Sequence, residues 1–530
     1  MKNIIFALLL ALPLNIFALD YDTAVKAMQD EMNRNKKGLH MKGLKKPYFI
    51  TYNLEDRYQY SLGASLGALL RDTGGAKQRG YVNMRVGDKK NDNTGYGYSP
   101  NYFQYNTIWY SAGAGYNLIR DSFWQASEAA YKQSLDQLSR KEAYKQQRNM
   151  EDDLDDFSPV PKNVIREDTN KEVFSHEYFE NAVKELSKIG LKYPDLDKFV
   201  VFINYDNYQN YYLDSEGSFY YRNPVIVYFD VTTELQTENG FKLSESLSRT
   251  YMSVKDVPQL EELKEEVEAF AAKTAALKKA KKIDSYIGPV WYAKGAGADF
   301  LDNVFVPAAS NTKTTWYERG GNKVGEFADK KGLRVISSFF NVTDDPLLKE
   351  YNGKTLAGYY KMDEEGAPAK KVELVKHGKL TDLLTTRSLI KGQKVSNGHA
   401  RDVRTPSAGV SNLFFEAETT VPEAEMKALF MQECAKQELE YCLKSEGNSS
   451  SVLYRVYTAD GREEPVYGAV FNNLNTRSLR DIIYAGDKMR VTNIVNKYPY
   501  AIIAPALIVG EVEVKPTQTQ PDKLPMVKQP

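Results

Sequence analysis

Apolar and polar positions change period several times along the chain, and each change predicts an element. Between residues 20 and 37, Val25, Met28 and Met32 recur at helical spacing with charges opposite, which predicts an amphipathic helix. Strand-like runs follow at 47–54, 58–70 and 79–86, and the turn-rich Asp72-Thr73-Gly74-Gly75 between them predicts an antiparallel meander. Residues 122–148 predict a long polar helix, followed by the acidic cluster 151–156 and Ser158-Pro159-Val160-Pro161, a pattern expected of a solvated linker or helix end. A helix over 176–189 then leads into strands at 199–205, 211–214, 218–222 and 225–233. The Glu-, Lys-, Ala- and Leu-rich stretch 259–282 predicts a strong helix, and the boundary between two halves falls just after it. Short β-like runs and turns fill the second half, which closes on an apolar strand, 501–514. A tail with four prolines, 516–530, is expected to be extended.

The fold class that follows is α+β with antiparallel and mixed sheets and a β-rich second half. The segments are 1–18, 19–283, 284–515 and 516–530. The first has the layout of a cleavable signal peptide: Lys2, an unbroken apolar run over 4–12, Pro13 and the small-residue end Ile16-Phe17-Ala18. Cleavage there predicts an exported, periplasmic or secreted chain starting at Leu19. No later run approaches the roughly 20 apolar residues of a membrane span.

Charge and cysteines narrow the function classes. Lys+Arg and Asp+Glu are 70 each, so no general pull toward nucleic acid or anionic membrane is expected. Tyrosine is plentiful at 37, which fits exposed strands and a polar aromatic binding surface and equally fits compositional bias. The two cysteines, Cys434 and Cys442, cannot staple a scaffold, and they lie in a segment, 421–443, with helical apolar spacing. Eight residues of helix is about 12 Å, beyond disulfide reach, so either both thiols stay free or the helix ends before Cys442.

Of the reactive constellations, metal hydrolysis is tested first. The four histidines, His40, His176, His377 and His399, include no pair at i, i+4, and no HExxH or HExxxH occurs. His377 reads as a turn residue. His399 reads either as a groove residue beside Arg401, whose guanidinium can hold a carboxylate, or as an ordinary loop histidine. Gly63-Ala64-Ser65-Leu66-Gly67 spells a nucleophile elbow but falls inside a strand run instead of between a strand and a helix. No phosphate-binding glycine loop is present.

From residue 353 onward the order of motifs is more telling. Gly358-Tyr359-Tyr360-Lys361-Met362-Asp363-Glu364-Glu365-Gly366, then Lys376-His377-Gly378-Lys379-Leu380, Thr386-Arg387-Ser388, Gly398-His399-Ala400-Arg401 and Ser411-Asn412-Leu413 resemble the TldD/PmbA family of metallopeptidases. The closing apolar strand and proline-rich end match as well, and Arg85-Val86-Gly87-Asp88 with Asp92-Asn93-Thr94 is a fainter match in the first half. The resemblance implies a two-domain fold, dimers enclosing a cavity, and extended or unfolded peptide held along a sheet edge. It also makes Gly398, His399, Arg401, Ser411 and Asn412 candidate binding residues. Active members carry HExxxH on the helix after a strand like Gly288-Pro289-Val290-Trp291-Tyr292. Here that helix reads Ala293-Lys294-Gly295-Ala296-Gly297-Ala298-Asp299-Phe300. The chain is thus similar to the PmbA-type non-zinc subunit, with no cofactor expected. Its expected partner is an HExxxH-bearing TldD-type subunit, or a second copy in a homodimeric peptide-binding or scaffolding protein.

Overall fold

The computed structural model describes residues 19–95, 107–110, 113–149, 154–310, 325–447, 452–472 and 474–523. The signal-peptide segment, part of the acidic cluster and the last residues of the tail lie outside these. The fold is α+β, with helices on one face of a large sheet in the first half and two sheets in the second.

The first half is organised by very long strands. β1 (Pro47–Ser65) and β2 (Ala68–Val86) form one hairpin, and β1 pairs on its other side with β5 (Lys198–Asp214). β3 (Thr107–Tyr110) extends the sheet beyond β2, and β4 (Val164–Arg166) pairs with β6 (Phe219–Arg222). β5 carries β6 near its end and β7 (Val225–Gln236) near its start, and β7 pairs with β8 (Lys242–Tyr251).

The expected turn at 72–75 is strand: Tyr60 pairs with Gly74 and Gln59 with Gly75. Gly74 packs under the Tyr60 ring, which a Cβ there would meet at 2.5 Å. The true turn is Leu66-Gly67, both at positive φ, a two-residue hairpin of the kind whose twist matches its strands. Ser65 therefore sits at a hairpin tip, donating to the Phe199 carbonyl at 2.8 Å, and no nucleophile elbow exists.

Alternation decides which face is covered. Tyr52, Leu54, Tyr211 and Leu213 point into a core under helices α1 (Tyr21–Gly38) and α2 (Tyr116–Arg148). Further along the same face, Leu62, Ile203, Val227 and Phe229 pack under α3 (His176–Ser187) and α4 (Leu260–Ala276). The opposite face meets the second half. That second core lies between a six-stranded and an eight-stranded sheet and includes α5 (Ala296–Ala309).

The expected closing strand is two: Pro499–Ala504 belongs to the six-stranded sheet and Leu507–Pro516 to the eight-stranded one, with Pro505 at the crossing. The expected helix over the cysteines is α6, only Met426–Lys436; Cys442 lies on the strand Tyr441–Ser445. The helix therefore ends early enough for a disulfide to Cys434, with Cα atoms 6.0 Å apart, and neither thiol is free.

Nor is the whole acidic cluster a solvated linker. Asp156 is buried against Lys141, and Phe157 is fully enclosed. Phe157 lies between two guanidiniums, Arg85 at 3.9 Å and Arg387 at 3.8 Å from its ring centre. These arginines clamp the halves together. Arg85 donates to Asp92 and to Glu365, each at 2.8 Å. Arg387, with no exposed surface, donates to the Ser158 carbonyl at 2.9 Å and to Glu216 at 2.7 Å.

Candidate functional site

The face of the first-half sheet turned away from its helices is polar and aromatic. On β1, Asn53, Glu55 and Arg57 alternate with the buried Tyr52, Leu54 and Asp56; on β5, Tyr208, Asn210 and Tyr212 share their face. This face is the floor of a cavity of about 830 Å³ whose opposite wall is built by residues 355–359, 401–404 and 495–499 of the second half. That volume is within the ordinary range of ligand sites. Eight tyrosines line it, with nine basic and six acidic residues, a local basic excess in a chain that is neutral as a whole.

Most of these charges are fixed. Arg57 donates through two nitrogens to Asp206 at 3.0 and 2.6 Å and lies over the Tyr208 ring. Arg222 donates to Glu364 at 2.7 Å, which ties floor to wall. Arg79 pairs with Glu55, and Lys497 reaches Asp402 at 3.2 Å. Burial pushes the Tyr208 phenol up and that of Tyr228 to about 12, so both are neutral hydroxyls at ordinary pH. Fixed ion pairs hold the floor rigid; neutral phenols and ring faces supply contacts that tolerate different side chains. The floor is thus a polar, aromatic surface on which most of the charges already have partners.

Of the residues expected at the site, Arg401 alone borders the cavity. Its guanidinium lies near the Tyr360 and Tyr498 rings, 4.3 and 4.9 Å from their centres, and donates to the carbonyls of Val410 and Pro499 at 3.2 and 2.7 Å. Gly398, His399, Ser411 and Asn412 are packed behind it. Gly398 has positive φ, and a Cβ there would meet the Pro368 carbonyl at 2.2 Å. His399 is fully buried; its Nδ1 is 3.1 Å from Asn397 oxygens and its Nε2 is 3.5 Å from Asp344. The Ser411 hydroxyl also donates to Asp344, so serine and histidine share a carboxylate without forming a nucleophile and its base. Asn412 accepts from the Gly358 amide and donates to two loop carbonyls, each at 2.9 Å.

Sequence reasoning missed Arg57, Tyr208, Arg222 and Tyr228. Their signal was the tyrosine abundance together with polar residues at every second position of the long strands.

With this geometry in place, comparison with known proteins is informative. Residues 286–516 match the family described as PmbA/TldA metallopeptidase C-terminal domain. This stretch is the C-terminal domain of the TldD/PmbA family. Three solved structures share the fold. A proposed modulator of a DNA gyrase from Thermotoga maritima has a TM-score of 0.62 at 15% identity, covering 92% of this chain and 99% of its own. TldE from Thermococcus kodakarensis has 0.58 at 13%, covering 92% and 100%. A proposed modulator of DNA gyrase from Bacteroides thetaiotaomicron has 0.59 at 13%, covering 93% and 98%. No curated protein sequence matches the chain.

The metal implied by the family finds no matching donors where its helix lies. α5 carries no histidine, and a Cβ on Gly297 would stand 2.2 Å from the Pro505 carbonyl, so the start of the helix is closed against the sheet crossing. Both cysteines are spent in the disulfide. Among the described residues one group of three donors comes together, Asp72, His176 and Glu180 on the first half, and none of them lines the cavity. His377 is exposed at a hairpin turn beside Glu418.

Proposed function

We propose that this chain is an exported, non-zinc member of the TldD/PmbA family that holds extended or unfolded peptide in the cavity between its halves. It would act as the substrate-binding or regulatory half of a peptide-processing assembly with an HExxxH-bearing subunit. The observation that carries this reading is the combination of a large tyrosine-lined cavity with a family helix that carries no histidine. The wall suits peptide binding, and in this reading hydrolytic chemistry comes from the other subunit. Export is supported by the signal-peptide layout and by the buried disulfide, which persists in oxidising compartments.

The test is reconstitution. The mature chain alone should bind unfolded peptides without cleaving them, and cleavage should appear only on adding an HExxxH-bearing family member. Zinc-dependent cleavage by the purified chain alone would overturn the proposal. Peptide binding with no change in cleavage by any such partner would instead favour a homodimeric binding protein.

A further inference from the structure

Leu19 is buried at the start of the described chain, and its backbone nitrogen donates to Asp56 Oδ2 at 2.7 Å. Asp56 is the odd residue of its strand. It sits at 4% exposure on the face that otherwise carries Tyr52 and Leu54, and its Oδ1 is a buried oxygen with no hydrogen-bond partner. Burial pushes its carboxyl up, more than the Leu19 amide and the Gln78 side chain pull it down, and Glu55 beside it adds to the push. No cation among the described residues pairs with it, whereas Asp20 one residue along is spent capping α1 through the Thr23 amide. A buried carboxylate faced only by neutral donors, the Leu19 amide and the Gln78 side chain, is poorly compensated.

The sequence ends its signal-peptide layout at Ala18, so cleavage there would make the Leu19 nitrogen a free amine. We propose that processing between Ala18 and Leu19 creates an α-ammonium that pairs with Asp56 and completes the fold. Hydrolysis of the Ala18–Leu19 amide consumes one water: its hydroxyl goes to the Ala18 carbonyl, and the amine, protonated from solvent, carries three N–H donors where the amide carried one. One of them keeps the bond to Oδ2 and another is available to the partnerless Oδ1. The carboxylate gains an opposite charge at hydrogen-bond distance, in a site from which solvent screening is largely removed. The fully stabilised structure then belongs to the processed chain and not to its precursor, which stays less stably folded while it is being exported.

Three full-length forms test this: one beginning at Leu19, one retaining Ala18 in front of it, and one beginning at Leu19 but Nα-acetylated. The form with a free Leu19 amine should melt several degrees above the other two. Asp56→Asn should erase that difference, because the amide side chain offers no charge to pair. Mass spectrometry of chain purified from its export compartment should give Leu19 as the first residue. Equal melting of all three forms, a difference that survives Asp56→Asn, or a mature terminus elsewhere would each overturn the proposal.

Discussion

Glu364 and Glu365 are neighbours in sequence and belong to two different regions. Glu365 enters the clamp of Arg85, Asp92, Arg387 and Phe157, where every group is buried and held by several partners. Glu364 turns into the cavity, where it holds Arg222 on a partly exposed wall. The motifs that carry the family resemblance fall mostly in the first region: Asp363, Glu365, Arg387, Ser411 and Asn412 all organise loops or join halves. The cavity is floored by strands whose sequence resemblance is faint. What identifies the family here is therefore largely what assembles the fold, and what would meet a ligand is more free to differ.

The contrast can be broken in order of expected effect. Arg387→Ala takes the guanidinium from Glu216, leaves the Ser158 and Glu365 carbonyls without their donor and opens space beside Phe157; the expected loss is about 3 kcal/mol, the low end for breaking a buried pair, because Glu216 is partly exposed and keeps Lys89. Urea unfolding should show that loss; a change under 1 kcal/mol would mean that the clamp does not hold the halves together.

Arg401→Ala touches both regions, because the side chain is buried and yet borders the cavity. It should lower stability by about 1.5–3 kcal/mol through the two carbonyls it leaves, and should weaken peptide binding as well. A stability loss with unchanged binding would assign Arg401 to the scaffold alone.

Asp92 tests the clamp by pH. Burial raises its carboxyl, but the Arg85 guanidinium and hydroxyl donors outweigh that and hold it at about 2, below the ordinary 3.8. A depressed carboxylate contributes stability that is present above its unfolded value and is lost as pH falls through the folded one, so about 2 kcal/mol should disappear between pH 4 and pH 2. Asp363 has the opposite sign. Burial and the neighbouring Glu365 raise it to about 7, so its contribution is full below pH 4 and declines as pH rises through 7. Unfolding curves across pH should therefore fall at the acid end. They should fall less steeply in Asp92→Asn, measured relative to that variant's own neutral value.

Much of the fold was legible because residue pattern is a local property: the helices expected at 20–37, 122–148 and 176–189 are found at 21–38, 116–148 and 176–187. The errors arose where tertiary contact overrides local signal. Gly74 and Gly75 spell a turn, yet both lie in the strand, and Gly74 accepts the Tyr60 ring across the hairpin. Pro505 lies within an apolar run and marks a change of sheet that no window of sequence reveals. The cysteine spacing was compatible with two outcomes, and the early end of α6 selects between them. The cavity was legible only as excess tyrosine, since it exists through pairing of β1 with β5 across some 150 residues.

The most direct test of peptide binding between the halves is photo-crosslinking from within the cavity. Benzoylphenylalanine at position 228, replacing Tyr228 on the floor, should capture an unfolded peptide. The same group in place of the exposed Leu333, away from the cavity lining, should not. Capture from position 228, competed by excess unlabelled peptide, is the result this account predicts. Equal capture from both positions, or capture from Leu333 alone, would contradict it.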